Sequence, residues 1–138
     1  MRYLLDTNSC IAAMRNHPAM VQRMAQVLPD DCVVSTITGY ETITGYELFT
    51  GVAKCADPAK EQAKVDLLLS TVRQVSFDTA AAKEAAQTRA HLESQGLTIG
   101  PYDLLLAGHA LALSLIMVSA NVKEFSRVPR LTVENWQV

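Results

Sequence analysis

The chain has 138 residues, 49% of them apolar, and charges of both signs that sum to −2. That is enough chain for one hydrophobic core, read here as a single domain over residues 1–138, and it excludes disordered and collagen-like chains. No apolar run reaches the length of a membrane span. A slightly acidic protein does not hold nucleic acid by counterion release alone, so this one either avoids nucleic acid or meets phosphate through a bound cation.

Residues 2–5, RYLL, form a short apolar strand that ends at Asp6, too short and too soon interrupted for a signal peptide. DTN then starts a helix over CIAAM, which His17-Pro18 breaks. A second helix is expected over MVQRMAQVL, residues 20–28, and a turn at Asp30-Asp31. CVVSTI, residues 32–37, is a β-branched run and reads as a buried strand. Thr38-Gly39-Tyr40-Glu41 and Thr44-Gly45-Tyr46-Glu47 each fit a capping box. A helix is expected over residues 59–72, with Val65, Leu68, Leu69 and Val72 on one face. RQVSF is a short strand, and Asp78 caps the Ala-rich helix that stops at Gly96. Gly100-Pro101 opens YDLLLAGHALAL, a helix whose Leu/Ala content reads as buried. LIMVSA is a further strand, and LTVENW a last one at an edge. Strands and helices alternate, which argues an α/β fold with a parallel sheet covered on both faces. Ligands of such sheets bind beyond the carboxyl ends of the strands. The cysteines Cys10, Cys32 and Cys55 are odd in number and lack CxxC spacing, as expected of free thiols in a reducing, cytoplasmic setting.

Four polar residues are expected at that one edge. Asp6 follows the first strand, a glutamate of the stretch after CVVSTI follows the second, Asp103 lies in the first turn of the Gly-Pro helix, and Asn121 follows the IMVSA strand. Carboxylates crowded together repel unless something positive sits among them. Oxygen donors with no histidine or cysteine at ligand spacing suit Mg²⁺ or Mn²⁺. Each residue also has a plain structural reading. Asp6 can serve as an N-cap, Asp103 can complement a helix dipole, and Asn121 can be a turn residue. His109 reads as a packed core histidine, and His17 and His91 as surface residues. Lys123, Arg127 and Arg130 form either a phosphate-contacting patch or a solvated loop.

LLDTN, ITGYELFTGV after a strand, GPYDLLLAGHALAL and VSANVKEFSRVPRLTVENW stand in this order from residue 2 to the C-terminus. Together they resemble the PIN-domain ribonucleases, specifically the VapC-type toxins of type II toxin–antitoxin systems. The resemblance implies a PIN-like three-layer α/β/α fold with a small, mainly parallel sheet. It implies a cytoplasmic, Mg²⁺-dependent endoribonuclease acting on structured RNA, tRNA above all. It also implies a homodimer, inhibited by a VapB-type antitoxin that lays its C-terminal segment across the pocket. Asp6 and Asp103 would be the principal metal ligands and the glutamate of GYEL the third acid. Asn121 falls where many relatives carry a fourth acid, and Thr7, Asn8 and Ser119 would line the pocket. Lys123 and Arg127 would contact the substrate. A second reading is a catalytically weakened PIN domain that retains antitoxin or RNA binding. A phosphatase with an aspartyl nucleophile at Asp6 is a third, but it needs an aspartate where the chain has Asn8.

The weakened reading arises from a tandem repeat. TITGYE occurs as residues 36–41 and again as 42–47, and the PIN pattern needs one copy. On one continuous helix the two glutamates would lie about 9 Å and roughly 120° apart, too far to share an ion. If Glu41 holds the site, Leu48, Phe49 and Val52 rotate off their packing face, and each such side chain is worth roughly 1.5–3 kcal/mol. If Glu47 holds it, GYELFTGV stays in register and the surplus loops out within residues 36–43, at about 0.6 kcal/mol per doubling of loop length. TITG is also a poor helix interior, and Thr44 is placed to cap a helix carrying Glu47. Glu47 is therefore preferred, with Glu41 the alternative. A third outcome is a longer strand or hinge that exchanges elements between protomers.

Overall fold

A computed structural model describes residues 1–37 and 43–138. In chain order these form β1 (Tyr3–Leu5), α1 (Thr7–Met14), α2 (Pro18–Met24), a 3₁₀ turn (Pro29–Asp31) and β2 (Cys32–Ile37). Next come α3 (Ile43–Lys54), α4 (Pro58–Thr71), β3 (Arg73–Phe77) and α5 (Thr79–Ser94), then α6 (Pro101–Ala112), β4 (Ile116–Val118), α7 (Val122–Phe125) and β5 (Val133–Glu134). All strand pairs are parallel, in the order β3-β2-β1-β4-β5.

The period of two along the strands divides the core. Tyr3, Leu5, Cys32, Val34 and Val118 point to one face, where Cys10 and Ala12 of α1, Met20 of α2, Leu48 and Val52 of α3, and Val65 and Leu68 of α4 cover them. Leu4, Val33 and Met117 point to the other, against Leu92 of α5, Leu106, Ala107 and Ala110 of α6, and Phe125 of α7. The result is the expected α/β/α sandwich. On the second face α5 and α6 approach so closely that a Cβ on Gly108 would stand 2.5 Å from the Ala85 backbone.

Local chemistry sets the helix starts. Asp6, Asp57 and Asp78 each accept a backbone N–H from the first turn of the helix that follows. Pro101 occupies the first turn of α6, where its missing N–H costs nothing. Gly96 ends the α5 segment at φ +68°, a conformation that favours glycine. His109 is the core histidine expected: Ser35 Oγ and His109 Nδ1 lie 2.6 Å apart, and the ring meets Phe77 edge-on. Burial pushes its pKa below the usual value, against the opposing pull of Asp78. All three cysteines are free thiols.

Several expectations need correction. The second helix starts at Pro18, two residues early, because half-buried His17 caps it by accepting the Met20 N–H; His17 is thus not a plain surface residue. Helix α3 starts at Ile43, so Thr44 lies inside it rather than at its cap; β2 ends at Ile37, and the part of 36–43 expected to loop out falls outside the described residues. The first capping box, Thr38–Glu41, and Glu41 itself lie outside the described residues. Leu48 and Val52, one turn apart, pack into the core, whereas Phe49 is 46% exposed. β4 and β5 are shorter than the apolar runs that signal them, and α7 was not expected, since four residues carry no readable periodicity.

Candidate active site

The chain builds β1, β2 and β3 to one side, then crosses to place β4 on the other side of β1. The strand order reverses between β1 and β4, which is where open parallel sheets form a crevice at their carboxyl ends. Asp6 follows β1 and Ser119 follows β4, and the backbones join there through Asp6 N–H donating to Val118 O at 3.2 Å.

Asp6 is 4% exposed. Its Oδ1 accepts the Ser9 N–H at 2.8 Å, so the N-cap reading holds. A carboxylate has a second oxygen, and the cap leaves it available. Thr7, the next residue, is buried and donates its hydroxyl to Glu47 Oε1 at 2.7 Å. That bond ties the first turn of α1 to α3 and brings Glu47 to the same edge. Thr7 therefore holds an acid rather than only lining the pocket. Asn8 is exposed beside them.

Asp103 comes from the first turn of α6. Its carboxyl pKa is raised to about 6, by burial first, then by Asp6, with Glu124 and Glu47 adding smaller contributions and the Asn121 hydrogen bond opposing. Four carboxylates, Asp6 at the start of α1, Glu47 of α3, Asp103 of α6 and Glu124 of α7, thus stand in one electrostatic field. Asn121 sits between two of them: Nδ2 donates to Asp103 Oδ2 at 3.4 Å and also to Glu124 Oε2. Buried Ser119 accepts the Asn121 N–H at 2.9 Å and fixes that turn. Asn121 is consequently more than a turn residue. Glu124 was not anticipated at all. Its only signal is the i, i+3 spacing from Asn121, legible once VKEF is known to be helical.

The basic residues divide. Arg127 donates to the Thr98 carbonyl at 2.8 Å, Arg130 pairs with Glu84 at 3.1 Å, and Lys123 is exposed. Arg127 and Arg130 therefore each have a protein partner.

Among the described residues no three acid, histidine or cysteine side chains stand close enough to grip one ion as they lie. The chemistry of the donor set nevertheless fits a hard divalent cation: carboxylate oxygens, no soft ligand, and an aspartate that resists ionisation because it is half-buried and other acids lie near it.

A parallel α/β/α sheet with acids gathered at its switch point is the arrangement of the PIN domain, and the model of that family matches residues 3–131. The tRNA(fMet)-specific endonuclease VapC of Salmonella typhimurium is 34% identical over 136 residues, 99% of this chain and 98% of that protein. Ribonuclease VapC2 of Rickettsia felis is 35% identical over 138 residues, with the same coverage. The chain belongs to the PIN-domain family and, within it, to the VapC ribonucleases. Among solved structures, a DNA-bound VapBC from Salmonella typhimurium superposes with a TM-score of 0.88 at 33% identity, over 99% of this chain and 98% of that one. VapBC2 from Rickettsia felis, bound to a DNA fragment from its promoter, gives 0.84 at 34% identity, over 99% of both chains. No helix among the described residues is long and apolar enough to cross a membrane.

Proposed function

We propose that this protein is the toxin of a toxin–antitoxin pair, an endoribonuclease that requires Mg²⁺ or Mn²⁺ and cuts structured RNA. The observation that supports the reading is that Asp6, Glu47 and Glu124, from distant points in the sequence, each help to raise the carboxyl pKa of Asp103 at the switch point of the sheet, with Thr7 tying Glu47 to the start of α1. Asp6, Asp103 and Glu47 would hold the cation, with Glu124 at the far side of Asn121. When bound, the ion supplies positive charge that offsets these acids, steadies the charge of a phosphoryl transition state and makes water easier to ionise.

The chain's own residues do the positioning. The Ser9 amide holds Asp6, the Thr7 hydroxyl holds Glu47, and the Asn121 amide spaces Asp103 from Glu124. Water attacks the phosphodiester in line and the 3′ oxygen departs, leaving 5′-phosphate and 3′-hydroxyl ends. The name of the Salmonella relative makes initiator tRNA the first substrate to try. The VapBC neighbours support a VapB-type antitoxin as partner, and a homodimer is proposed with it.

The test is cleavage of total cellular RNA by purified protein with Mg²⁺, wild type beside Asp6→Ala and Asp103→Ala. Each substitution is expected to lower cleavage by at least about a hundredfold, since a charge contact of several kcal/mol is at stake. Wild-type cleavage that persists in EDTA would overturn the metal requirement. The TITGYE repeat favours a second reading, a weakened nuclease that still binds its partner; wild-type protein that binds RNA and antitoxin but cuts nothing would select it.

A further inference from the structure

Tyr46 and Tyr102 are the residues immediately before Glu47 and Asp103. They come from different helices, α3 and α6, yet their ring centroids stand 5.7 Å apart with planes tilted by 40°. Neither is packed away: Tyr46 is 52% exposed and Tyr102 38%. Two large aromatic rings in contact on the surface form an apolar patch that a soluble protein does not need for its core. Neighbouring residues on a helix differ by about 100° around its axis. The acid of each pair therefore turns into the acidic edge while its tyrosine turns outward beside it.

We propose that the Tyr46–Tyr102 pair is a stacking platform for a nucleobase of the RNA strand whose phosphate lies over the acids. The proposal rests on the ribonuclease reading above and names part of the substrate site. A base is one sugar removed from its phosphate, as each tyrosine is one residue removed from its acid. Every base has a π face, so the platform sets where the strand lies without reading its sequence. A base stacked there has left its own helix, so the platform accepts an unpaired nucleotide next to the phosphate that is cut. It also supplies binding to a chain whose net charge of −2 does not attract RNA.

The test uses a single-stranded RNA hexamer carrying 2-aminopurine, with Mg²⁺, on protein carrying Asp103→Asn so that the probe stays intact. The parent is expected to bind the hexamer and quench its fluorescence. Tyr46→Ala with Tyr102→Ala is expected to weaken binding about tenfold or more and to remove the quench. Tyr46→Phe with Tyr102→Phe, which keeps the rings, should retain both within about twofold. Circular dichroism establishes that each variant is folded. Equal binding and quench by the alanine pair, phenylalanine variants as weak as alanine, or no hexamer binding by the parent would each overturn the platform. So would an alanine pair that loses only its affinity for a VapB-type antitoxin. Cleavage by protein with Asp103 intact is followed separately. Quench without cleavage removes the ribonuclease reading and keeps the platform; cleavage with an unaltered quench in the alanine pair does the reverse.

Discussion

Asp6 accepts the Ser9 amide with one carboxylate oxygen and keeps the other for the crevice. The structural and functional readings of this residue are thus compatible, because an ionised carboxylate has more acceptor sites than a cap uses. Asp103 is the residue that records both its own burial and the acids around it. Its pKa of about 6 lies above that of an aspartate in an unfolded chain, so in the metal-free protein the folded state holds the proton longer. Stability is then unaffected below about pH 4, falls as pH rises through 4 to 6, and stays lowered above. Asp103→Asn is expected to stabilise the metal-free protein at pH 7.5 by about 1 kcal/mol, less than the full shift implies because solvent screens a half-buried group. Thermal melts in EDTA from pH 4.5 to 7.5 should show the wild type losing stability across the range and the variant losing less. The two glutamates of the repeat are separated by substitution as well. Glu47→Gln should abolish RNA cleavage and Glu41→Gln should leave it; the opposite pattern would transfer the site to the first copy.

Among the elements, α5 and α6 set the position of Asp103. Their contact depends on Gly108 facing Ala85, where an added methyl group would collide with backbone on the neighbouring helix. Backbone cannot step aside as a flexible side chain can. Gly108→Ala is therefore expected to destabilise the fold by about 1–3 kcal/mol, the usual range for overpacking, although alanine is the better helix former. Urea unfolding measures this, and an unchanged midpoint would show that the helices can separate freely. The helix pattern of YDLLLAGHALAL announced a buried helix, and so it is over Leu106–Ala110. Nothing in the pattern announced which helix it would lie against. α3 teaches the converse. Leu48 and Val52 followed the expected face, but Phe49 turned outward, since neighbouring residues on a helix cannot share one narrow stripe.

For the molecule as a whole, the acids and any cation are linked. A ligand must shed its proton to bind metal, so Mg²⁺ should raise the melting temperature more at pH 7.5 than at pH 5. The shift should disappear in Asp6→Ala with Asp103→Ala. Equal shifts at the two pH values would mean that Mg²⁺ binds elsewhere. Taken with the pH profile of the metal-free protein, this experiment tests the crevice without requiring an RNA substrate.

Much of this was legible in the chain. The strand and helix order, the aspartate caps, Pro101 at its helix start and the core histidine follow from signals that act over a few residues: steric limits on the backbone, the periods of 2 and 3.6, and short side chains that bond nearby amides. The motifs LLDTN, GPYDLLLAGHALAL and NVKEF also carried the family. Folding alone joined what lies far apart in sequence. The Thr7–Glu47 bond depends on α1 and α3 packing over one face of the sheet, and the Asn121 bridge between Asp103 and Glu124 depends on the first turn of α6 lying beside the turn that follows β4. Periodicity specifies which side of an element is apolar. The partner of that side, and so the neighbours of every polar residue at its rim, is settled only when the apolar faces close on one another.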